Sequence, residues 1–200
     1  MALEWSRRGI QVDPLAAPAT YAELFSLYTA QRFEEAAECA RRVLSLNPGY
    51  AEGHRCLGAS LLALGQTGPA LESLRQAIAL AGPTGWIVAS LAVARARIGD
   101  TDEAERLLGE LEERATAEWI SPMTLGVVYA ALGRYDDALT MVERSFDGRD
   151  CWVVALGVEP AWAPMRGNPR FEAIVAKVGV LGPAVPSRPA SALQGAGTAA

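Results

Sequence analysis

Hydrophobic residues along this chain recur with the spacing of amphipathic α-helices. In two stretches the apolar residues fall on one helical face: Leu57, Leu61, Leu62 and Leu64, and then Leu125, Val128, Tyr129 and Leu132. No run alternates between apolar and polar residues over the length of a strand, so the pattern predicts no β-strands. The predicted fold class is therefore all-α.

The same kinds of residue also return every 34 residues. Four sets of positions keep this spacing in one register: Ala36, Ala70, Ala104 and Ala138; Gln31, Gly65, Gly99 and Gly133; Leu24, Gly58, Ala92 and Gly126; and Phe33, Thr67, Thr101 and Tyr135. A fixed period of this length is the sequence signature of a solenoid built from repeated structural units.

Each recurring position has a physical reason within a pair of packed helices. The glycine follows the first helix of a pair, where a left-handed turn commonly ends a helix. Acidic pairs such as Asp102-Glu103 come at the start of the second helix, where negative charge is favourable. The alanine marks a place where the two helices cross too closely for a larger side chain. The period therefore predicts a series of helix-turn-helix units.

These units resemble the tetratricopeptide repeat. The residues that carry the resemblance are His54-x-x-Leu57-Gly58-x-x-Leu61 with Gly65, Ala70, Ala77 and Pro83, and Pro122-x-x-Leu125-Gly126-x-x-Tyr129 with Gly133, Tyr135 and Ala138. His54 and Pro122 stand where that repeat usually has Trp, and Leu24 and Ala92 replace its glycine in the first and third units. The resemblance implies an α-solenoid of tetratricopeptide helix-turn-helix repeats with a C-terminal capping helix.

On this basis the chain divides into four parts. Residues 1–14 are predicted to form a partial repeat, equivalent to a second helix, because their end echoes the end of the first complete unit. Four units follow over residues 17–152, at about 17–50, 51–84, 85–118 and 119–152. Residues 153–181 are predicted to form a connector and a capping helix, and residues 182–200, rich in Pro, Ala, Ser and Gly, a disordered tail.

The predicted capping helix has clear boundaries. Asn168-Pro169 combines an N-cap residue with proline at the first helical position, and Gly179 stops the helix. Such a helix would cover the apolar side of the last unit. The stretch from Glu159 to Phe171 also resembles the ending of repeat regions appended to bacterial kinases, adenylate cyclases and winged-helix regulators. That resemblance implies an alternative function as the sensory or oligomerising C-terminal segment of a larger bacterial signalling protein.

Charge and hydropathy exclude several classes of partner. The net charge is −5 and the basic residues are scattered along the chain, whereas a nucleic-acid-binding protein normally presents a basic stripe. The apolar stretches are too short to span a bilayer. No apolar segment follows the N-terminal charges, so no signal peptide is predicted. We therefore expect a cytoplasmic protein that binds neither nucleic acid nor membrane.

The reactive side chains do not form a pattern typical of catalysis or metal binding. Cys39, Cys56, Cys151 and the single histidine, His54, lack the paired spacing of zinc ligands, so no metal and no cofactor are predicted. No nucleophile stands beside a general base in a recognisable active-site motif. The sequence therefore predicts that the protein is not an enzyme.

The resemblance implies instead a concave groove, lined by the first helix of each unit, that receives a peptide or helix of a partner protein. Transferred by position, the mainly apolar partner-binding groove comprises Tyr21, Phe25, Tyr28, Arg55, Leu62, Trp86, Val93, Arg97, Met123 and Val127. The cluster of basic and Asn residues with which some family members clamp a chaperone's C-terminal carboxylate is missing. The groove aromatic residues either form an open surface or are covered by the chain's own ends.

The predicted function is thus a protein–protein interaction scaffold or adaptor, with assembly into a homo-oligomer left open. The identity of the partner does not follow from the residues.

Overall fold

The computed structural model describes Glu4 and residues 17–179. Within residues 17–179 it contains nine α-helices and two 3₁₀ helices. The α-helices are α1 (Ala17–Thr29), α2 (Phe33–Leu46), α3 (Ala51–Ala63), α4 (Thr67–Ala81), α5 (Gly85–Arg97), α6 (Thr101–Arg114), α7 (Pro122–Ala131), α8 (Tyr135–Asp147) and α9 (Pro169–Val178). The 3₁₀ helices are Cys151–Ala155 and Pro160–Met165. Apart from Glu4, the predicted partial repeat at 1–14 and the predicted tail at 182–200 lie outside the described residues.

The first eight helices form two layers of a solenoid. The odd-numbered helices α1, α3, α5 and α7 contact one another in sequence and form the inner, concave layer. Each of α2, α4 and α6 packs against the inner helix before it and the inner helix after it. The prediction of an all-α solenoid is confirmed.

The recurring small residues lie where the two layers cross. A Cβ atom added to Gly58 on α3 would lie 2.7 Å from Cγ of Leu74 and 3.0 Å from the carbonyl oxygen of Ala70 on α4. At the equivalent Gly126 of the fourth unit, such an atom would lie 3.2 Å from Cβ of Met141 on α8 and 2.8 Å from Cη2 of Trp162. A side chain at either glycine would therefore push the layers apart.

The turn between the two helices of each unit has a left-handed residue, as the glycine spacing predicts. Gly65, Gly99 and Gly133 have φ angles of +76°, +82° and +77°. In the first unit the same position is occupied by Gln31, with a φ angle of +58°. One backbone conformation is thus repeated four times, although only three of the units have the residue that adopts it without strain.

The C-terminal helix α9 begins and ends at the residues that the sequence indicates. The side chain of Asn168 accepts hydrogen bonds from the backbone N–H groups of Arg170 and Phe171, and Gly179 is left-handed. The helix packs on α8 and buries Phe171, Ile174 and Val175 in the hydrophobic core of the later units. This position gives α9 the geometry of a cap on the last unit.

Candidate functional site

The inner helices present the predicted groove residues on a common concave surface. Phe25 and Tyr28 come from α1, Leu62 from α3, and Trp86 and Val93 from α5. Together with their neighbours these side chains line a cavity of about 60 Å³. The cavity is small because a later segment of the chain covers it.

That segment is Cys151–Arg166, which we call the strap. It leaves the end of α8 and crosses the concave surface before α9 begins. The Trp152 ring stacks on Trp86 with centroids 5.9 Å apart and planes inclined by 10°. It also meets Phe25 edge-on at 6.3 Å. The aromatic residues of the groove are therefore covered by the chain itself, one of the two arrangements that the sequence left open.

Glu159 is the most buried charge that the strap places in the groove. Only 9% of its surface is exposed. Its carboxylate accepts hydrogen bonds from the Tyr28 hydroxyl and from the backbone N–H of Ala161. Burial raises the pKa of the Glu159 carboxyl, although Arg55, the Ala161 N–H and Arg97 act in the opposite direction. The strap thus supplies the groove with an acidic side chain of its own.

Arg55 is held within the fold and is not a free anchor for a ligand. The residue is 7% exposed. Its Nε donates to Oε1 of Glu52 at 2.6 Å, and its guanidinium lies 5.6 Å from the centre of the Trp86 ring. Its positive charge is paired with Glu52, and the face of its guanidinium lies against the Trp86 ring.

Arg97 differs from Arg55 because it is exposed at the end of α5. It forms no ion pair among residues 17–179, and its positive charge acts on the nearby Glu159 carboxyl without direct contact. Arg97 borders both the covered cavity and an open cleft beside the strap. This second cleft, which we call the Arg97 cleft, has a volume of about 670 Å³.

The Arg97 cleft follows the edge at which the inner helices end. Its apolar wall comprises residues from three inner helices, from the start of α8 and from the strap, including Leu62, Val93, Ile98, Val127, Tyr135 and Ala161. Ile98 and Tyr135 are 39% and 46% exposed. The surface that remains open therefore combines these apolar side chains with a comparable share of polar atoms, and one guanidinium lies at its border.

Met123 and Val127 lie deeper than their repeat positions suggest. They are 2% and 6% exposed and belong to the hydrophobic core of the later units. The strap residue Trp162 packs on the same helix, since a Cβ atom at Gly126 would lie 2.8 Å from its Cη2 atom. In this structure Met123 is inaccessible to a partner, and Val127 reaches the Arg97 cleft only at its edge.

Eight of the ten predicted residues line the covered cavity, and the two that do not are Met123, which is in the core, and Tyr21. Tyr21 stacks on Phe25 at 5.8 Å but faces a separate cleft near the start of the inner helices. The residues that sequence reasoning missed are those of the strap, namely Trp152, Glu159 and Trp162. The two tryptophans are visible in the sequence as large apolar side chains just after the period stops, and Glu159 and Trp162 belong to the stretch that resembles the ending of appended repeat regions.

The two buried cysteines, Cys39 and Cys56, are not activated as nucleophiles. Burial raises the pKa of the Cys56 thiol to about 11, and the same cause, with Glu23 nearby, raises the pKa of Cys39 to about 12. No group of His, Cys, Asp and Glu residues in the described part of the chain is arranged to hold a metal ion. Among the described helices, none is long and apolar enough to cross a membrane.

Comparison with known proteins identifies the repeat. The sequence profile of the tetratricopeptide repeat matches residues 21–83 and 90–146, which together make up more than half of the chain. No curated protein sequence matches the chain significantly. Among solved structures, a thermophilic tetratricopeptide repeat protein of Thermus thermophilus superposes with a TM-score of 0.59 at 19% identity, over 90% of this chain and 89% of that one. That likeness shows a common fold, and the profile match shows that the chain belongs to the tetratricopeptide repeat family.

Proposed function

We propose that this protein is a scaffold that binds an extended or helical segment of a partner protein in the Arg97 cleft. Proteins of this family generally act as protein–protein interaction scaffolds and not as enzymes. The observation that carries the proposal is the open apolar wall beside the strap, which includes Leu62, Val93 and the exposed Ile98. Apolar surface of this kind is a common feature of peptide-binding grooves.

The strap restricts where the partner lies. Because Trp152 and Glu159 cover the centre of the concave surface, a partner segment contacts the edge of the groove and not its whole width. Of the ten residues expected to line the groove, Leu62, Val93, Arg97 and Val127 border this cleft. The other six contribute to the surface that supports the strap, to the core, or to the separate cleft near Tyr21.

The test compares how well the full-length wild type and variants with one added charge bind the partner protein. Ile98→Glu puts a carboxylate on the apolar wall, and Leu46→Glu is the matched control because Leu46 is an exposed leucine, 60% accessible, at the end of an outer helix. A partner captured by the wild type is first identified by mass spectrometry. Its Kd for Ile98→Glu should be at least about tenfold weaker, as for loss of an interface hot spot.

Leu46→Glu should leave that Kd unchanged. An equal loss of affinity in both variants, or an unchanged Kd for Ile98→Glu, would contradict the proposal that the partner binds in the Arg97 cleft. Light scattering on the same samples measures oligomeric state, so that a second copy of this chain is recognised if it is the molecule captured.

The alternative function as a segment of a larger signalling protein has a weaker basis. Its sequence pattern runs from Glu159 to Phe171, and these residues have structural roles here: Trp162 and Phe171 lie 6.0 Å apart in the core, and Asn168 caps α9. The pattern is thus explained by the packing of the strap and cap. The gene sequence upstream of the Met1 codon would decide whether a signalling domain precedes this region.

A further inference from the structure

We propose that Trp152 is a displaceable plug, and that the position of its ring is a binding site for a tryptophan side chain of a partner protein. We call this position, between Phe25 and Trp86, the indole slot. The inference goes beyond the proposed binding in the Arg97 cleft, because the slot lies in the part of the concave surface that the strap covers. The ligand chemistry is indicated by the indole ring that occupies the slot.

The walls of the indole slot are held in place by contacts that do not involve Trp152. Tyr21 stacks on Phe25 with ring centroids 5.8 Å apart. The Arg55 guanidinium lies 5.6 Å from the centre of the Trp86 ring. Departure of the Trp152 ring would therefore leave a preformed aromatic site, and preformed walls reduce the ordering cost of binding another ring.

One half of the strap is anchored in the hydrophobic core and the other half is not. In the second half, Leu156, Trp162 and Met165 are at most 1% exposed. The first half is the 3₁₀ helix Cys151–Ala155, where Val154 is 51% exposed. The first half can thus leave the concave surface while the second half stays in place.

The first half is held on the inner helices by apolar contact and not by polar bonds. Within residues 17–179, no hydrogen bond or ion pair joins Cys151–Ala155 to α1, α3 or α5. The backbone N–H of Trp152 donates to the side chain of Asp150, at the start of the same turn. Stacked and edge-on ring contacts each add only modestly to the area that they bury. A folded state in which the plug has left the slot is therefore a minor member of the native ensemble.

An incoming side chain can reach the slot from solvent. Tyr21, Trp86 and Trp152 also line the separate cleft near the start of the inner helices, which has a volume of about 620 Å³. Tryptophan is among the residues most enriched at the energetic centre of protein interfaces. A partner's ring and Trp152 compete for the same walls, so the strap is autoinhibitory and reduces the partner's affinity by the fraction of the protein that is open.

The first test is a titration of the full-length chain with N-acetyltryptophanamide, followed by NMR of the ¹⁵N-labelled tryptophan indole groups. The compound should shift the Trp86 signal and bind Trp152→Ala at least about tenfold more tightly than the wild type. That factor corresponds to about 1.4 kcal/mol for the two ring contacts that it no longer has to displace. Trp119→Ala is the matched control, since it removes an indole that is 78% exposed and should bind as the wild type does. Adding Trp86→Ala to Trp152→Ala should remove the gain.

The second test asks whether the plug opens in the folded chain, by alkylation of cysteines with iodoacetamide and mass spectrometry. Cys151→Ser first removes the exposed thiol. Cys56 lines the cavity beneath the strap, whereas Cys39 is buried against Glu23 of α1 and serves as the internal control. At low urea concentrations the labelling rate of Cys56 should be nearly independent of urea, as for local opening, and that of Cys39 should rise. Trp152→Ala should accelerate labelling of Cys56 and not of Cys39.

Two results would overturn the inference. One is equal binding of N-acetyltryptophanamide to Trp152→Ala and the wild type. The other is a labelling rate of Cys56 that rises with urea as steeply as that of Cys39, because the plug would then leave only when the whole chain unfolds. Since neither test needs a natural partner, both results are independent of whether Ile98→Glu releases a captured protein.

Discussion

At Gln31 the backbone adopts the left-handed conformation that glycine adopts at the equivalent turns of the other three units. A residue with a Cβ atom is strained there, at a cost of about 1–2 kcal/mol relative to the right-handed region. Gln31→Gly should therefore raise the free energy of unfolding by about 0.5–1 kcal/mol, since part of the relief is offset by the greater freedom of glycine in the unfolded chain. Urea denaturation of both proteins measures the difference.

The reverse change supplies the control for this residue-scale argument. A Cβ atom at Gly99 would meet no other atom within 4 Å, so Gly99→Ala changes conformational strain and not packing. It should lower the free energy of unfolding by about 1 kcal/mol. If Gln31→Gly proved destabilising while Gly99→Ala behaved as expected, the Gln31 side chain would have to make a compensating contribution.

At the scale of the helices, the distance between the two layers depends on small residues at each crossing. Ala104 on α6 is fully buried, and its counterpart Ala92 on α5 is fully buried too. Ala104→Leu adds three carbon atoms at the crossing and should lower the free energy of unfolding by about 1–3 kcal/mol. Thermal melts check this value.

A substitution at Gly109 on the same helix tests whether α6 is destabilised by any added side-chain atoms or only by overpacking at the crossing. A Cβ atom at Gly109 would have no neighbour within 4 Å. Gly109→Ala should therefore stabilise the protein by about 0.5–1 kcal/mol through helix propensity alone. Loss of stability in both variants would mean that the crossing at Ala104 is not the cause.

At the scale of the whole molecule, the repeat could be predicted because its determinants are local. The glycine turn and the alanine crossing involve residues within one 34-residue unit, so their spacing is visible along the chain. The same locality explains why the helix bounded by Asn168 and Gly179 was predictable. These features establish the solenoid and the position of its concave surface.

The covering of the groove could not be predicted in the same way. Trp152 lies 127 residues after Phe25, and their contact depends on how far the solenoid curves before the chain returns. The repeat pattern places Val127 on the inner layer but contains no information about a segment beyond the last unit. The predicted groove residues lie on the inner helices, and the strap reduces the area of the concave surface that is accessible.

The strap contacts both the last unit and the first unit. The ionisation of Glu159 is therefore expected to affect the stability of the whole molecule. Burial raises its pKa in the folded chain despite Arg55, the Ala161 N–H and Arg97. A carboxyl group of this kind binds its proton more tightly in the folded chain, so its contribution to stability is largest below the unfolded pKa of about 4.3. That contribution is lost as the pH rises through the folded-state pKa.

Glu159→Gln removes the titration and keeps an oxygen that can accept the hydrogen bond of Tyr28. The free energy of unfolding of this variant, minus that of the wild type, should increase as the pH rises from about 4 towards neutrality. Urea denaturation at several pH values measures it, with Glu38→Gln on the exposed face of α2 as the control for loss of a surface carboxylate. A difference that falls with pH would mean that Arg55, Arg97 and Tyr28 stabilise the carboxylate more than burial disfavours it. The strap would then be held in the groove by its charge and not in spite of it.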